Sequence, residues 1–427
     1  MYSQKKSVDS PEWIYNTVIY QLFVRAHTKK GDFKSVIPDL DRIKNLGATL
    51  IWFMPIHPIG IKNRKGTLGS PYSVKDYRKI NFDLGNEADF LLVIQEIHKR
   101  GMRVIIDWVA NHCSLDNETI FSDPDWLKRD ENGNLTLPHP DWNDVVNLNY
   151  RNCDLRRYII DSMKYWIKEF GIDGFRCDVA SLVPTDFWVE ARIELKKVKE
   201  DILLLAESNE PELHLASFDI TYESEIRKEI RRVFKEGASA DNIRKMYEEQ
   251  KRRFPQKAIR LRFLENNDED RSISFFGFKE TFAAAILMYM LDGVPLIWSG
   301  QESGDEDYPN WRGLFDKLEI NFNTAYTESL FSFYKKLFKI RKDNDVLRDG
   351  ESEFLLNSHS DDVVTFLRFN KVNAILVGVN MRATKNKIDL GLRGRGIDIL
   401  NGDKVNLSQG LSIDGYSGRI IKLFSFI

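Results

Sequence analysis

Eight short apolar runs, each followed by a longer stretch of different period, constrain this chain more than anything else in it. They read VIYQLFVR (18–25), TLIWFMPI (49–56), RVIIDWVA (103–110), GFRCDVA (174–180), ILLLAES (202–208), FDITY (218–222), IRLRFLEN (259–266) and VPLIWSG (294–300). Each has the length and apolar content of a strand buried on both faces. Intervening stretches such as FKSVIPDLDRIKNLG, EADFLLVIQEIHKRG, LRRYIIDSMKYWIKEFG and KETFAAAILMYMLDG carry apolar residues at i, i+3 and i+4 and close on glycine, as amphipathic helices do. Strands alternating with helices mean a parallel sheet with crossovers, and eight such units predict an α/β fold, a (β/α)8 TIM barrel.

The chain of 427 residues exceeds the roughly 250 such a barrel needs. The pattern predicts a catalytic barrel over residues 1–345, with a short excursion after the third strand at about 113–149 that is rich in Asp, Asn, Pro and Trp. From about residue 350 the texture changes to short β-rich runs (VVTFLRF, AILVGVN, GRIIKLFSF) broken by Gly and Asn, which predicts a C-terminal all-β sandwich over 350–427.

Composition narrows the ligand. Lys and Arg total 62 against 64 Asp and Glu, a net charge of −2, so no field of one sign points to nucleic acid or an anionic membrane. No run of about 18 apolar residues occurs, and no apolar run follows the basic residues near the N-terminus; the expectation is a soluble, cytoplasmic protein. Three cysteines, Cys113, Cys153 and Cys177, form no CxxC pair, which speaks against a disulfide framework or a zinc ribbon. The oligomeric state is not legible in the pattern.

The ends of the strands are unusually polar. In a strand, residues i and i+2 share a face, so Arg176 and Asp178 in GFRCDVA point together. The third run ends in DWVANH, the fifth in LLLAES and the seventh in FLENNDED, so Asp178, Glu207 and Asp268 converge at the C-terminal face of a barrel, where sites of this architecture sit. Arg176 beside Asp178 favours its ionised form, and the apolar run before Glu207 favours its protonated form, the division of labour a glycosidase needs. Any one acidic residue at a strand end is more often a cap or an ion-pair partner; three on separate strands with an Arg and a His outweigh that reading. His112 alone reads as a core histidine, Asp107 as a structural partner of Arg176, and Trp52, Trp108 and Trp298 as barrel packing. Tyr72 and Trp142, on loops, are the better candidates for stacking on a sugar ring.

In this order, DWVANH, GFRCDVA, LLLAES and FLENND, with GATLIWFMP and GVPLIWSGQE, resemble the signatures of glycoside hydrolase family 13, the α-amylase family, over about Val18 to Phe322. The resemblance implies that Asp178 is the nucleophile, Glu207 the general acid/base and Asp268 a transition-state stabiliser. It implies that Arg176 orients Asp178 and that Tyr72, His112 and Asn267 line the subsite of the attacked glucose. The implied reaction is retaining hydrolysis of α-1,4-glucans or maltodextrins with an oligo- or polysaccharide as partner and no required cofactor. Two departures stand out. Asn267 replaces the family histidine before Asp268, and Asn147 replaces a calcium-binding aspartate, so the calcium site that Asn111 would share lacks its carboxylate. A glucan-binding protein with an idle fold, or a family member with another linkage or acceptor, such as a transferase or an α-1,6-glucosidase, remains an alternative.

Overall fold

The computed structural model describes residues 2–306 and 310–426; Met1, residues 307–309 and Ile427 lie outside them. Eight parallel strands close into a barrel: β1 Ile19–Leu22, β2 Leu50–Phe53, β3 Arg103–Trp108, β4 Gly174–Cys177, β5 Leu203–Ala206, β6 Ile220–Tyr222, β7 Ile259–Arg262 and β8 Val294–Trp298. Every strand lies inside its expected run, and all but β6 stop short of the run's end, where the chain leaves the ladder to line the C-terminal mouth. Val24 and Arg25, expected as strand, open a one-turn helix, Val24–His27.

Side-chain parity builds the two layers. Ile19, Leu50, Trp52, Ile105, Leu205 and Leu261 point inward into one buried cluster. Residues of the other parity, such as Tyr20, Ile51, Phe53, Ile106 and Phe175, join the outer core shared with the helices. The longer helices are α1 Glu87–Lys99, α2 Cys153–Phe170, α3 Thr185–Lys196, α4 Glu225–Glu236, α5 Asp241–Arg253, α6 Phe278–Met290 and α7 Thr327–Asp343. The helical stretch expected at 33–47 is broken into Phe33–Val36, a 3-10 turn Ile37–Asp39 and Leu40–Leu46, since Pro38 has no N–H to continue the ladder. Between β5 and β6 the only helical piece is the 3-10 turn Pro211–His214, and both α4 and α5 follow β6, so the alternation is not one-to-one.

The excursion after β3 is pinned by an antiparallel ribbon, His112–Ser114 against Val145–Asn147. The C-terminal region forms a six-stranded antiparallel sheet with a two-stranded one across it, enclosing Val363, Leu376, Ile388, Leu411, Ile413 and Ile421. Among the described residues no helix is long and apolar enough to cross a membrane, and all three cysteines are free.

Candidate active site

Parallel register places the centre of the site. Asp107 on β3 lies beside Arg176 on β4, and Arg176 beside Leu205 on β5, two residues before Glu207. The wholly buried Arg176 donates through Nη1 to Asp107 Oδ1 at 2.7 Å and Asp178 Oδ1 at 2.9 Å, and through Nε to the Tyr222 hydroxyl at 3.2 Å. Its Nη2 sits 2.9 Å from Glu207 Oε2 but off the hydrogen-bonding axis, so charge carries that contact. Trp52 and Tyr222 wall the guanidinium at 5.2 and 5.6 Å from their ring centroids. The expected pairing of Asp107 with Arg176 is present, and Asp178 and Glu207 are held by one cation.

The link between β4 and Glu207 is strained. Val179, directly after Asp178, adopts φ 36° and ψ 48°, a left-handed conformation that β-branched residues rarely take. That turn aims its N–H at Glu207 Oε2, 2.8 Å away. Both of these contacts to the Glu207 carboxyl use Oε2.

Charge balance differs from the expectation for Asp178. Burial first, then repulsion from Glu207, push its carboxyl well above the ordinary range; Arg176 pulls it down but is outweighed, with Asp107 and Asp268 adding to the rise. Burial likewise raises Asp107 to about 6 against the opposing pull of Arg176. Asp268, at the mouth on the loop after β7, is pushed up to about 7 by desolvation from the surrounding walls and then by Glu207, while the Arg176 charge pulls it down. Asp107, Asp178 and Asp268, gathered around one guanidinium, hold protons more tightly than an isolated carboxylate would.

Sugar-facing candidates divide. Tyr72 is half-buried, with its hydroxyl donating to Asp107 Oδ2 at 3.3 Å and its ring 5.8 Å from the Arg176 guanidinium. Asn267 does not stand free in place of a histidine: Gln21 Nε2 donates to its Oδ1 at 2.6 Å, and its Nδ2 donates to the Tyr72 hydroxyl at 3.3 Å. A chain Gln21–Asn267–Tyr72–Asp107–Arg176 therefore spans the barrel mouth. Gln21 and Tyr222 were not among the sequence candidates; the signal available was inward parity, a lone polar residue in IYQL and a tyrosine closing β6. His112 is buried and held neutral, its pKa lowered by burial to about 4, with bonds to Asn111 and the Tyr72 backbone and its ring 5.7 Å from that of Trp142. Among the described residues it makes no hydrogen bond to the four carboxylates, although it lies beside Tyr72, which bonds Asp107.

Donor chemistry argues against calcium here. Asn111 Nδ2 donates to Asn147 Oδ1 at 3.3 Å, so the two neutral amides of the implied site bond each other. Among the described residues no group of three or more His, Cys, Asp or Glu side chains is arranged to hold a metal ion. The residues do not fit the ion, and no step is routed through one.

Comparison with known proteins gives a consistent picture. The family model described as the α-amylase catalytic domain matches residues 17–120 and 116–320. The α-amylase MalA of Haloarcula japonica is 28% identical over 416 residues, covering 93% of this chain; the chain spans 60% of that relative's own length. α-Amylase 2 of Dictyoglomus thermophilum is 28% identical over 445 residues, covering 94% of this chain and 76% of the relative. Among solved structures, a noncanonic maltogenic α-amylase, AmyB, from Thermotoga neapolitana superposes with a TM-score of 0.88 at 33% identity, covering 96% of this chain and 99% of that one. An α-amylase from Lactobacillus plantarum superposes with a TM-score of 0.87 at 31% identity, with coverage of 96% and 99%.

Proposed function

The chain belongs to the α-amylase family of glycoside hydrolases, and from that premise we propose that it is a retaining hydrolase of α-1,4-glucans or maltodextrins. The observation that carries the reading is Arg176, which holds Asp178 and Glu207 within 2.9 Å of its two terminal nitrogens. Two carboxyl groups gathered on one guanidinium suit the separation of about 5 to 5.5 Å that a double displacement requires. Asp178 attacks the anomeric carbon as the ionised nucleophile while Glu207 Oε1 gives its proton to the departing glycosidic oxygen. Glu207 then takes a proton from water, whose oxygen bonds the anomeric carbon and frees Asp178.

Asp268 supplies negative charge beside the developing oxocarbenium ion, and the Gln21–Asn267–Tyr72 chain fixes the wall on which the sugar packs. The names of the relatives, α-amylase and maltogenic α-amylase, support glucose polymers joined α-1,4 as the substrate class.

The test is incubation of the protein and its Asp178→Asn variant with maltoheptaose, followed by proton NMR. Fresh α-anomers from the parent and none from the variant are expected. Fresh β-anomers would overturn the retaining mechanism, and no products at all would return weight to an idle glucan-binding fold.

A further inference from the structure

The barrel order sets a direction across the site. Glu207 follows β5, which stands opposite β1 in a closed ring of eight. The acid protonates the leaving oxygen, so the departing part of the substrate lies on the β5 side and the part bonded to Asp178 extends toward β1 and its neighbours β2 and β8.

On that second side the loops are fastened together. Arg25, after β1, donates through Nη1 to the carbonyls of Gly69 (3.2 Å), in the loop after β2, and Leu314 (3.1 Å), in the loop after β8. Lys65 Nζ donates to the Asp141 carbonyl of the excursion at 2.7 Å, lies 3.5 Å from Asp144 Oδ1 and sits 5.7 Å from the centre of the Phe315 ring. Thr67 donates through both N and Oγ1 to Asp316 Oδ1, at 2.8 and 2.7 Å.

The seam is closed to a single methyl group: at Gly66, φ 59°, a Cβ would stand 2.6 Å from Phe315 Cβ. Leu314 packs in one cluster with Tyr72, whose hydroxyl meets Asp107, so this wall stands directly behind the sugar subsite. The Glu207 side is more open by contrast: the Glu207 side chain is 23% exposed, Glu210 on the same loop is exposed, and Leu182, on the loop after Asp178, is 55% exposed.

We propose that the wall built on Lys65, Thr67 and Phe315 makes the glycone side a dead end and the protein exo-acting. It takes the non-reducing end of a linear α-1,4-oligosaccharide, and the shortened remainder leaves along the open side. Each turnover breaks one anomeric C–O bond and adds the hydrogen and hydroxyl of one water across it. This inference rests on the hydrolase reading above.

It is tested with maltoheptaose labelled at its reducing end, offered with a free non-reducing end and with that end blocked by a 4,6-O-ethylidene group. The blocked substrate is expected to react more than about 100-fold more slowly, the cost of forcing a bulky group against a closed wall, and the first labelled products from the free substrate are expected to be shortened by one fixed number of units. Lys65→Ala and Phe315→Ala, which open the seam by different routes, are each expected to raise the blocked-to-free rate ratio at least about tenfold. Comparable rates on both substrates, or early labelled products of every length, would overturn the dead end. Failure of the parent on both substrates would instead remove the hydrolase reading and the inference with it.

Discussion

Among the described residues the Asp268 carboxylate accepts no hydrogen bond, whereas Asp107 and Asp178 share Arg176. Its proposed role therefore rests on charge, and charge in this cluster is costly. Because the folded-state pKa values of Asp107 and Asp268, about 6 and about 7, lie above the ordinary 3.8, the folded protein binds these protons more tightly than the unfolded chain. Their stabilising contribution is present below about pH 4 and is lost as pH rises through about 7. Asp268→Asn is therefore expected to melt above the parent at pH 8 and close to it at pH 4, modestly because the side chain is exposed. Its kcat should fall on the order of 10² to 10³-fold or more. The same shifts set the kinetics: kcat/KM on maltoheptaose should fall as pH drops through roughly 7 to 6, where the carboxylates gain protons, rather than near 4. Asp107→Asn removes one of the charges that raise Asp178 and should move that acid limb to lower pH. A pH–rate profile of both proteins checks it. The identity of these residues was legible in the sequence, since parity alone aims Arg176 and Asp178 one way. Their protonation was not, because it depends on how many carboxyl groups the register gathers around the one guanidinium.

At the scale of elements, β4 is where packing and chemistry meet. Gly174 opens the strand, and a Cβ there would lie 2.2 Å from the Leu203 carbonyl oxygen on β5. Only glycine lets the two strands approach, and that approach brings Arg176 level with Leu205 and Asp178 toward Glu207. Gly174→Ala is expected to destabilise the protein by about 1–3 kcal/mol, measured by urea unfolding, and to lower kcat as well, because it pushes apart the strands that carry Asp178 and Glu207, the proposed nucleophile and acid. A second element-scale prediction concerns the barrel mouth. Asn267→Ala leaves the buried Gln21 amide, whose Oε1 already has no partner, without its acceptor, at a cost of about 1–3 kcal/mol. Its effect on KM should exceed that of a surface substitution because Tyr72 loses a donor. Strand positions were readable from apolar runs, and the eight-fold ring from their number. What escaped were features with no period: the chain break at Pro38, the missing helix between β5 and β6, the turn at Val24, and the loop fastening by Lys65, whose partners lie 76 and 79 positions away in sequence.

For the molecule as a whole, texture separates residues 1–345 from 350–427, and we propose a boundary there, yet the packing joins the two sides. One face of the six-stranded sheet contributes Phe366, Val377, Val379 and Ile420 to the same buried cluster as the barrel helices, and α6 packs on the strand Ala374–Asn380. The fully buried Arg368 crosses the junction, donating to the carbonyls of Met290 at the end of α6 (3.0 Å), Leu347 (3.1 Å) and Gly350 (2.9 Å). Arg382 does the same at the other end, to the carbonyls of Val233 (2.8 Å) and Ala238 (2.7 Å) around α4. Nothing in a residue pattern distinguishes a sheet that stands beside a barrel from one that completes its core; that needs the contact across the junction. A chain ending at residue 349 would expose the apolar face of α6 to water, at roughly 25 cal/mol for each Å² uncovered, and is expected to be insoluble or unfolded. The intact chain should show one calorimetric transition. Arg368→Ala, which strands the buried carbonyls of Met290 and Leu347 and the half-buried one of Gly350, should lower that single transition by about 3 kcal/mol of stability without splitting it. Two resolved transitions, or a soluble and active 1–349 chain, would mean that the sheet is an appendage and that the barrel alone holds Asp178, Glu207 and Asp268 in place.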